Sequence, residues 1–360
     1  MSEGSGALHS TGATGAGSPS TTASSRARPP GQGTAQQSLT GTLGVLVPVV
    51  IALLISIFFV TLFLLAFRSP TPHGLRVGVT GPTAAAGEFR RAVDTGAPEA
   101  LDLRDYPNPG AAQAAVEHRD VYAAVVIEEV DRWTMLVAGA NGVALIPALQ
   151  QLIQPAATAA GATVSVRDLV PQAPGDVSGL AIFYIAFGLV LGGFLFGVNT
   201  YQIAPRLSFG ARMASVGLFG PLCGLAAATA GHALDALQGS FLANATVLTL
   251  IAAAVAMATA MLLRVFGLLG ITLGSMLLLT LGNASGGAVF PPALLPGWLE
   301  PFAYVLPPGA GVQAPAGASY FGGGGVPQGV AVLIVWIALS ALIIFALDRR
   351  TTQRPTAIES

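Results

Sequence analysis

The sequence predicts an α-helical polytopic membrane protein: six transmembrane helices, with a small α/β extracytoplasmic domain between helices 1 and 2. Three observations predict it. Hydrophobic residues make up 53% of the chain and charged residues 9%, where soluble proteins carry about 25% charged residues. Residues 243–283 are apolar throughout, with Arg264 as their one formal charge. As one helix this stretch would run about 61 Å at roughly 1.5 Å per residue, twice the hydrocarbon thickness of about 30 Å. It therefore reads as two spans with Arg264 at a cytoplasmic turn, because a guanidinium at the bilayer centre costs about 2.5 kcal/mol or much more. Finally, residues 68–177 regain charge and alternate short apolar runs with Gly and Pro.

Taken in order, residues 1–41 are rich in Gly, Ser, Thr, Ala and Pro and carry almost no large apolar residue before Leu39. They cannot bury enough surface to offset the entropy of ordering and read as a disordered cytoplasmic tail. Residues 43–67 are the first span, too long for the apolar core of a cleaved leader. Within 68–177, LRVGVT at 75–80 reads as a strand, 84–93 as a helix, 101–104 as a weak strand and 110–118 as a helix. VYAAVVI at 121–127, rich in β-branched residues, and residues 133–138 read as strands. Leu145, Ile146, Leu149, Leu152, Ile153 and Ala156 recur at helical spacing, with Gln150, Gln151 and Gln154 opposite them, which predicts an amphipathic helix. Residues 163–167 close with a strand. Such alternation implies an α/β domain with a mixed sheet.

The remaining spans are expected at 178–199, 214–232, 243–263, 265–283 and 328–347. A loop at 284–327 and a cytoplasmic tail at 348–360 complete the chain. Orientation follows from arginine, since every basic residue is Arg and there is no Lys. With the N-terminus inside, the inner segments hold Arg26, Arg28, Arg206, Arg212, Arg264, Arg349, Arg350 and Arg354, and the short outer connections hold none. This bias puts both termini inside and the α/β domain outside.

The composition also excludes chemistry. Without Lys there is no P-loop and no Schiff-base lysine. The single cysteine, Cys223, rules out an intramolecular disulfide and reads as a small apolar residue of a span. A net charge of −1 gives no argument for nucleic acid. No catalytic or metal-ligating constellation appears, and no cofactor is implied. His232 and Asp235, the nearest ionisable pair to a span, read as a solvated helix end. Glycine pairs at four-residue spacing, Gly188/Gly192, Gly193/Gly197, Gly220/Gly224 and Gly270/Gly274, read as close-packing seams. Asn244-Ala245-Thr246 and Asn283-Ala284-Ser285 match glycosylation sequons but hug the membrane.

Two segments stand out. The inner connection around Arg206, Leu207, Phe209 and Arg212 combines charge with apolar grip, which suits either topology anchoring or contact with a cytoplasmic partner. The loop 284–327 is too apolar and aromatic for a solvated connection. Pro291, Pro292, Pro296, Pro307, Pro308 and Gly309 break it into short pieces, and Trp298 suits the headgroup layer. It reads as one or two interfacial or re-entrant helices resting as a lid on the last two spans.

One span, a large outside domain, then five spans resembles the layout of ABC-2-type permeases, shared by YhgE/Pip-like and DUF3533 membrane proteins. Leu281-Gly282-Asn283, Ser285-Gly286, Pro291-Pro292, Leu295-Pro296 and Leu306-Pro307-Pro308-Gly309-Ala310 are similar to the last outer loop of that family. Ala123–Ile127 and Val166–Pro171 are similar to its outside domain. The resemblance implies export of a lipid, drug or polymer from the plasma membrane by a homodimer or heterodimer, with ATP hydrolysed by a separate subunit. One feature departs from it: typical members precede span one with an amphipathic connecting helix, and residues 1–41 offer none. The second reading is a non-transporting envelope protein whose outside domain binds a partner as receptor or assembly factor.

Overall fold

The computed structural model describes residues 42–67, 72–129, 131–287 and 290–352. The tail expected to be disordered, 1–41, and the last residues of the C-terminal tail, 353–360, lie outside the described residues. Helix α1 is Thr42–Phe67. A five-stranded sheet follows: β1 Leu75–Thr80, β2 Leu101–Asp105, β3 Ala123–Glu129, β4 Arg132–Val137 and β5 Thr163–Asp168, in the order β2-β1-β3-β4-β5. The pairs β1/β2, β1/β3 and β4/β5 are parallel and β3/β4 is antiparallel. The sheet is mixed because only two residues separate β3 from β4, while the parallel pairs are joined through helices.

Three helices cover the sheet: α2 Thr83–Gly96, α3 Pro109–Glu117 and α4 Leu145–Ala159. Asn108 accepts a hydrogen bond from the Ala111 N–H (2.8 Å) and Pro109 opens α3, a start that satisfies one free donor and wastes none. One sheet face buries Phe89 and Val93 of α2 with Leu145, Leu149 and Ile153 of α4 around Trp133 and Met135. Phe89 meets Trp133 edge-on at 5.5 Å. The other face buries Ala112, Ala115 and Val116 of α3 on Ala124, Val126 and Leu136.

The helical part is built from α5 Ala181–Ile203, α6 Phe209–Ala233, α7 Phe241–Phe266 and α12 Val326–Thr352, with α11 Pro307–Tyr320 among them. Helix α7 is the axis: 83% of its apolar window is buried, against 39% or less in the other long helices. Glycines set the spacing around it. A Cβ on Gly193 or Gly197 would strike Ala252, Val255 or Thr259 of α7, and one on Gly224 would strike Thr249. Gly188 and Gly192 face open space, so that pair is not an internal seam.

Five helices among the described residues are long and apolar enough to cross a membrane. The segment expected as the fifth of six spans, 265–283, differs. The preceding helix continues through Arg264 to Phe266, and the break falls at Gly267, whose φ is +60°. Arg264 therefore lies in the last turn of α7, not at the turn itself. Helix then resumes as α8 Leu269–Gly274, a π-helical turn Ser275–Leu281 and α9 Gly282–Ser285. The apolar helical run is Leu269–Ser285, about 25 Å long at 1.5 Å per residue, short of the span length the sequence suggested. Thr280 Oγ1 donates to the Ser275 carbonyl five residues back (3.1 Å), matching the wider turn.

The loop 284–327 is more than a lid. After a 3-10 turn at Pro292–Leu294 and α10 Glu300–Val305, α11 enters the bundle and is buried along almost its whole length. Its Gly and Ala residues permit this. Gly309 lies against the Ala303 backbone, Gly311 against Ile251 of α7, and Gly329 of α12 against Ala314.

Candidate functional site

The α/β domain and the helices meet through segment 284–327. On one sheet face, Ala293 and Leu294 join the core beside Leu75 and Val77, and the Ala293 carbonyl accepts from the His73 N–H (3.2 Å). On the opposite face, Phe321 is fully buried among Val116, Val121 and Leu136. The same segment carries Leu295 and Leu299, which bury Leu62 and Ala66 of α1. The Tyr320 hydroxyl accepts from the Ala173 N–H (3.2 Å). The Asp176 carboxylate caps α5 by accepting from the Leu180 and Ala181 N–H groups (2.9 and 3.0 Å). One stretch of chain is thus built into both faces of the domain and into the core of the bundle.

At the centre of this junction is Arg119. It follows the last turn of α3 with φ +65°, a left-handed conformation at the helix end that glycine usually fills. Its guanidinium explains why an arginine stands there. Nε donates to Asn141 Oδ1 (2.8 Å), Nη2 to Gln313 Oε1 (2.6 Å) and Nη1 to the Gln313 carbonyl (3.3 Å). The charge also sits 5.0 Å from the centre of the Phe321 ring. Burial pulls its pKa below the ordinary guanidinium range; a guanidinium nonetheless stays charged in proteins.

Beside Arg119 lies a cavity of about 490 Å³ whose walls come from the domain and from α10, α11 and α12. Arg76, His118, Arg119, Asp120, Tyr122, Tyr304, Gln313 and Gln328 give it its polar groups. Arg76 lies over the Tyr122 ring at 5.5 Å. Burial, followed by the neighbouring Tyr122 and Glu300, pushes the Tyr304 phenol well above the usual range, so it stays a neutral donor. Among the described residues no carboxylate forms an ion pair with Arg76 or Arg119.

The opposite end of the helices gathers the arginines expected there. Arg264 of α7 donates to Asp348 of α12 through Nε (2.9 Å) and through Nη2. Arg212 lies in the field of both and is 2% exposed, with its Nη2 donating to the Leu207 carbonyl (3.4 Å). Of the four residues expected to face a partner, Arg206 is exposed and Leu207 and Phe209 are half-buried. Phe209 packs on Phe345 of α12 at 5.2 Å. Arg212 is withdrawn from any such surface because its stem is enclosed by the bundle. In the other segment, Pro292, Pro307, Pro308 and Gly309 are buried, Pro308 packs on Gly282, and Trp298 is half exposed. Pro291 precedes the 3-10 turn and Pro296 leads into α10 through its carbonyl, which accepts from the Leu299 N–H (2.7 Å).

Both sequons are closed to modification. Asn244 is wholly buried and bonds the Gln238 carbonyl, His232 and Ser319, and Asn283 is 4% exposed. His232 is accordingly part of a polar network joining α6, α7 and α11, while Asp235 is exposed.

Arg76, Arg119, Tyr122, Tyr304 and Gln313 are not legible in the sequence as one site, since they come from four separated segments. The one local signal is an arginine directly after a helix end, where glycine would be expected. No protein-family model matches the chain, and no curated protein matches it.

Proposed function

We propose that this chain is a polytopic protein of the plasma membrane, the permease-type subunit of an ABC-2-like exporter. In this reading both termini are cytoplasmic and the α/β domain is extracytoplasmic. A separate ATP-binding subunit supplies energy, and two such chains, or this chain and a relative, flank the pathway. The observation that carries the reading is the seating of Ala293, Leu294 and Phe321 in the domain while α11 of the same segment lies buried in the bundle. A receptor or assembly factor needs its outside domain tethered. Here the segment makes the domain continuous with the helices that would have to move during transport.

The other end supplies a route for coupling. Arg206 is exposed beside Phe209, which rests on α12, so force applied to this connection reaches α6 and α12 together. An exposed guanidinium with apolar neighbours is also a common composition for a protein contact.

The test is purification of the intact chain in mild detergent from its own host, followed by mass spectrometry and an ATPase assay. An ATP-binding subunit that co-purifies, and is lost on Arg206→Glu while the chain still inserts, is the expected result. Repeated purification with no nucleotide-binding subunit, under conditions that retain other membrane complexes, would refute the permease reading and favour the receptor or assembly role.

A further inference from the structure

We infer that the cavity between Arg76, Arg119 and Tyr304 holds the oxyanion head of an amphiphile whose tail lies along α12. The inference rests on the reading of α12 as membrane-embedded and is independent of any ATP-binding subunit.

The polar half of the argument is the cavity itself. At about 490 Å³ it falls within the range of small-ligand sites, about 300–1,000 Å³. Its chemistry is donor-rich. Two guanidinium groups, two phenols and the Gln328 amide line it, together with Gln313, whose amide is taken up by Arg119 and the Gly286 carbonyl, and Asp120 is the one carboxylate on its wall. Arginine forks match the geometry of phosphate and carboxylate oxygens. A left-handed backbone is also held at Arg119, where glycine would fit without strain, and such outliers persist where the side chain is needed.

The apolar half is continuous with it. Gln328 and Val332 of α12 line the cavity. Val335, Leu339 and Leu342 follow at alternating three- and four-residue spacing, which places all five on one helix face. They are 60%, 47% and 64% exposed. Val305, 57% exposed, adjoins this face, since its carbonyl accepts from Trp336 Nε1 (2.8 Å). A head held at Arg76 and Arg119 would therefore lead a chain directly onto an exposed apolar stripe. A free phosphate would use the cavity and leave the stripe unused.

The experiment measures binding to the intact purified chain in detergent by native mass spectrometry and by thermal shift. Three probes are used: dioctanoyl phosphatidic acid, dioctanoyl phosphatidylcholine and inorganic phosphate. Saturable binding of phosphatidic acid, at least about ten-fold tighter than phosphatidylcholine, is expected. Arg76→Gln should weaken it about ten-fold or more, the usual loss for one charge-assisted contact, with the melting temperature kept. Val332→Asn should weaken the lipid and leave phosphate unaffected. Gln328→Leu, on the exposed first turns of α12, gives a second variant should Arg76→Gln fail to fold, and it too should weaken phosphatidic acid. Equal binding of phosphatidic acid and phosphatidylcholine, phosphate competing at the lipid's own affinity, or phosphatidic acid binding unchanged in a folded Arg76→Gln or Gln328→Leu protein would each overturn the inference.

Discussion

Arg264 and Asp348, 84 positions apart, form an ion pair between α7 and α12. The Arg264 guanidinium reaches the Asp348 carboxylate through Nε (2.9 Å) and through Nη2, and both side chains are mostly buried. The pair ties the last turn of α7 to the last turns of α12, beside buried Arg212. The turn after α7 can then be a glycine, because the charge is satisfied before the chain reverses.

Breaking that pair should cost more than removing it. A mostly buried charge deprived of this contact loses about 1–3 kcal/mol of stabilisation, below the roughly 3–5 kcal/mol of fully buried pairs. Asp348→Asn and Arg264→Met should each lower the melting temperature in detergent, and the double variant should recover part of the loss. Strict additivity of the two single losses would mean that the residues do not act together.

Glycine positions sort by what their missing side chains would strike. A Cβ on Gly309 would lie 2.2 Å from the Ala303 carbonyl oxygen, which is backbone and cannot swing away. Gly188 faces open space. Gly309→Ala should therefore destabilise by about 1–3 kcal/mol, as overpacking does. Gly188→Ala should stay within about 0.5 kcal/mol of the parent. Thermal unfolding of the two variants side by side checks this, and equal stabilities would contradict the close packing of α11.

Backbone conformation and side-chain bonding can be separated at Arg119. Arg119→Ala loses the contacts to Asn141 and Gln313 and keeps the left-handed backbone. Arg119→Gly loses the same contacts and relieves about 1 kcal/mol or more of backbone cost. The expected order of melting temperatures is parent, Arg119→Gly, Arg119→Ala. Alanine at or above glycine would mean that the left-handed conformation carries no cost.

Much of this architecture is legible in the residues, and the gaps have physical causes. LRVGVT forms β1 over the positions its β-branched alternation marks. The stripe of Leu145, Leu149 and Ile153 forms the buried face of α4, because both elements are fixed by local periodicity. The charge predicts the break in the apolar stretch at Arg264, whereas it occurs at Gly267. The charge could stay inside the helix because Asp348, far away in sequence, meets it. One or two helices are expected in 284–327 as a lid, but the burial of α11 inside the bundle is not legible, for the opposite reason. Pro307, Pro308, Gly309, Gly311, Pro315 and Gly317 are poor helix formers. Burial against α7 and α12 overrides them; Pro307 and Pro308 sit at the first turn, where they do no harm, while Pro315 lies inside the helix. Beyond the arginine that follows α3, the cavity has no linear signature, since its walls meet only once 284–327 has folded against the domain and the helices.

In the proposed topology the α/β domain and the Arg206 connection lie on opposite sides of a membrane, the domain outside and the arginines inside. Its most direct measurement uses a Cys223→Ala chain carrying one new cysteine, either Glu129→Cys on the exposed end of β3 or Arg206→Cys. Intact cells are treated with a membrane-impermeant maleimide. Labelling at position 129 without labelling at 206, until the cells are opened, is the predicted result. Labelling at 206 in intact cells, or at neither site before lysis, would contradict it.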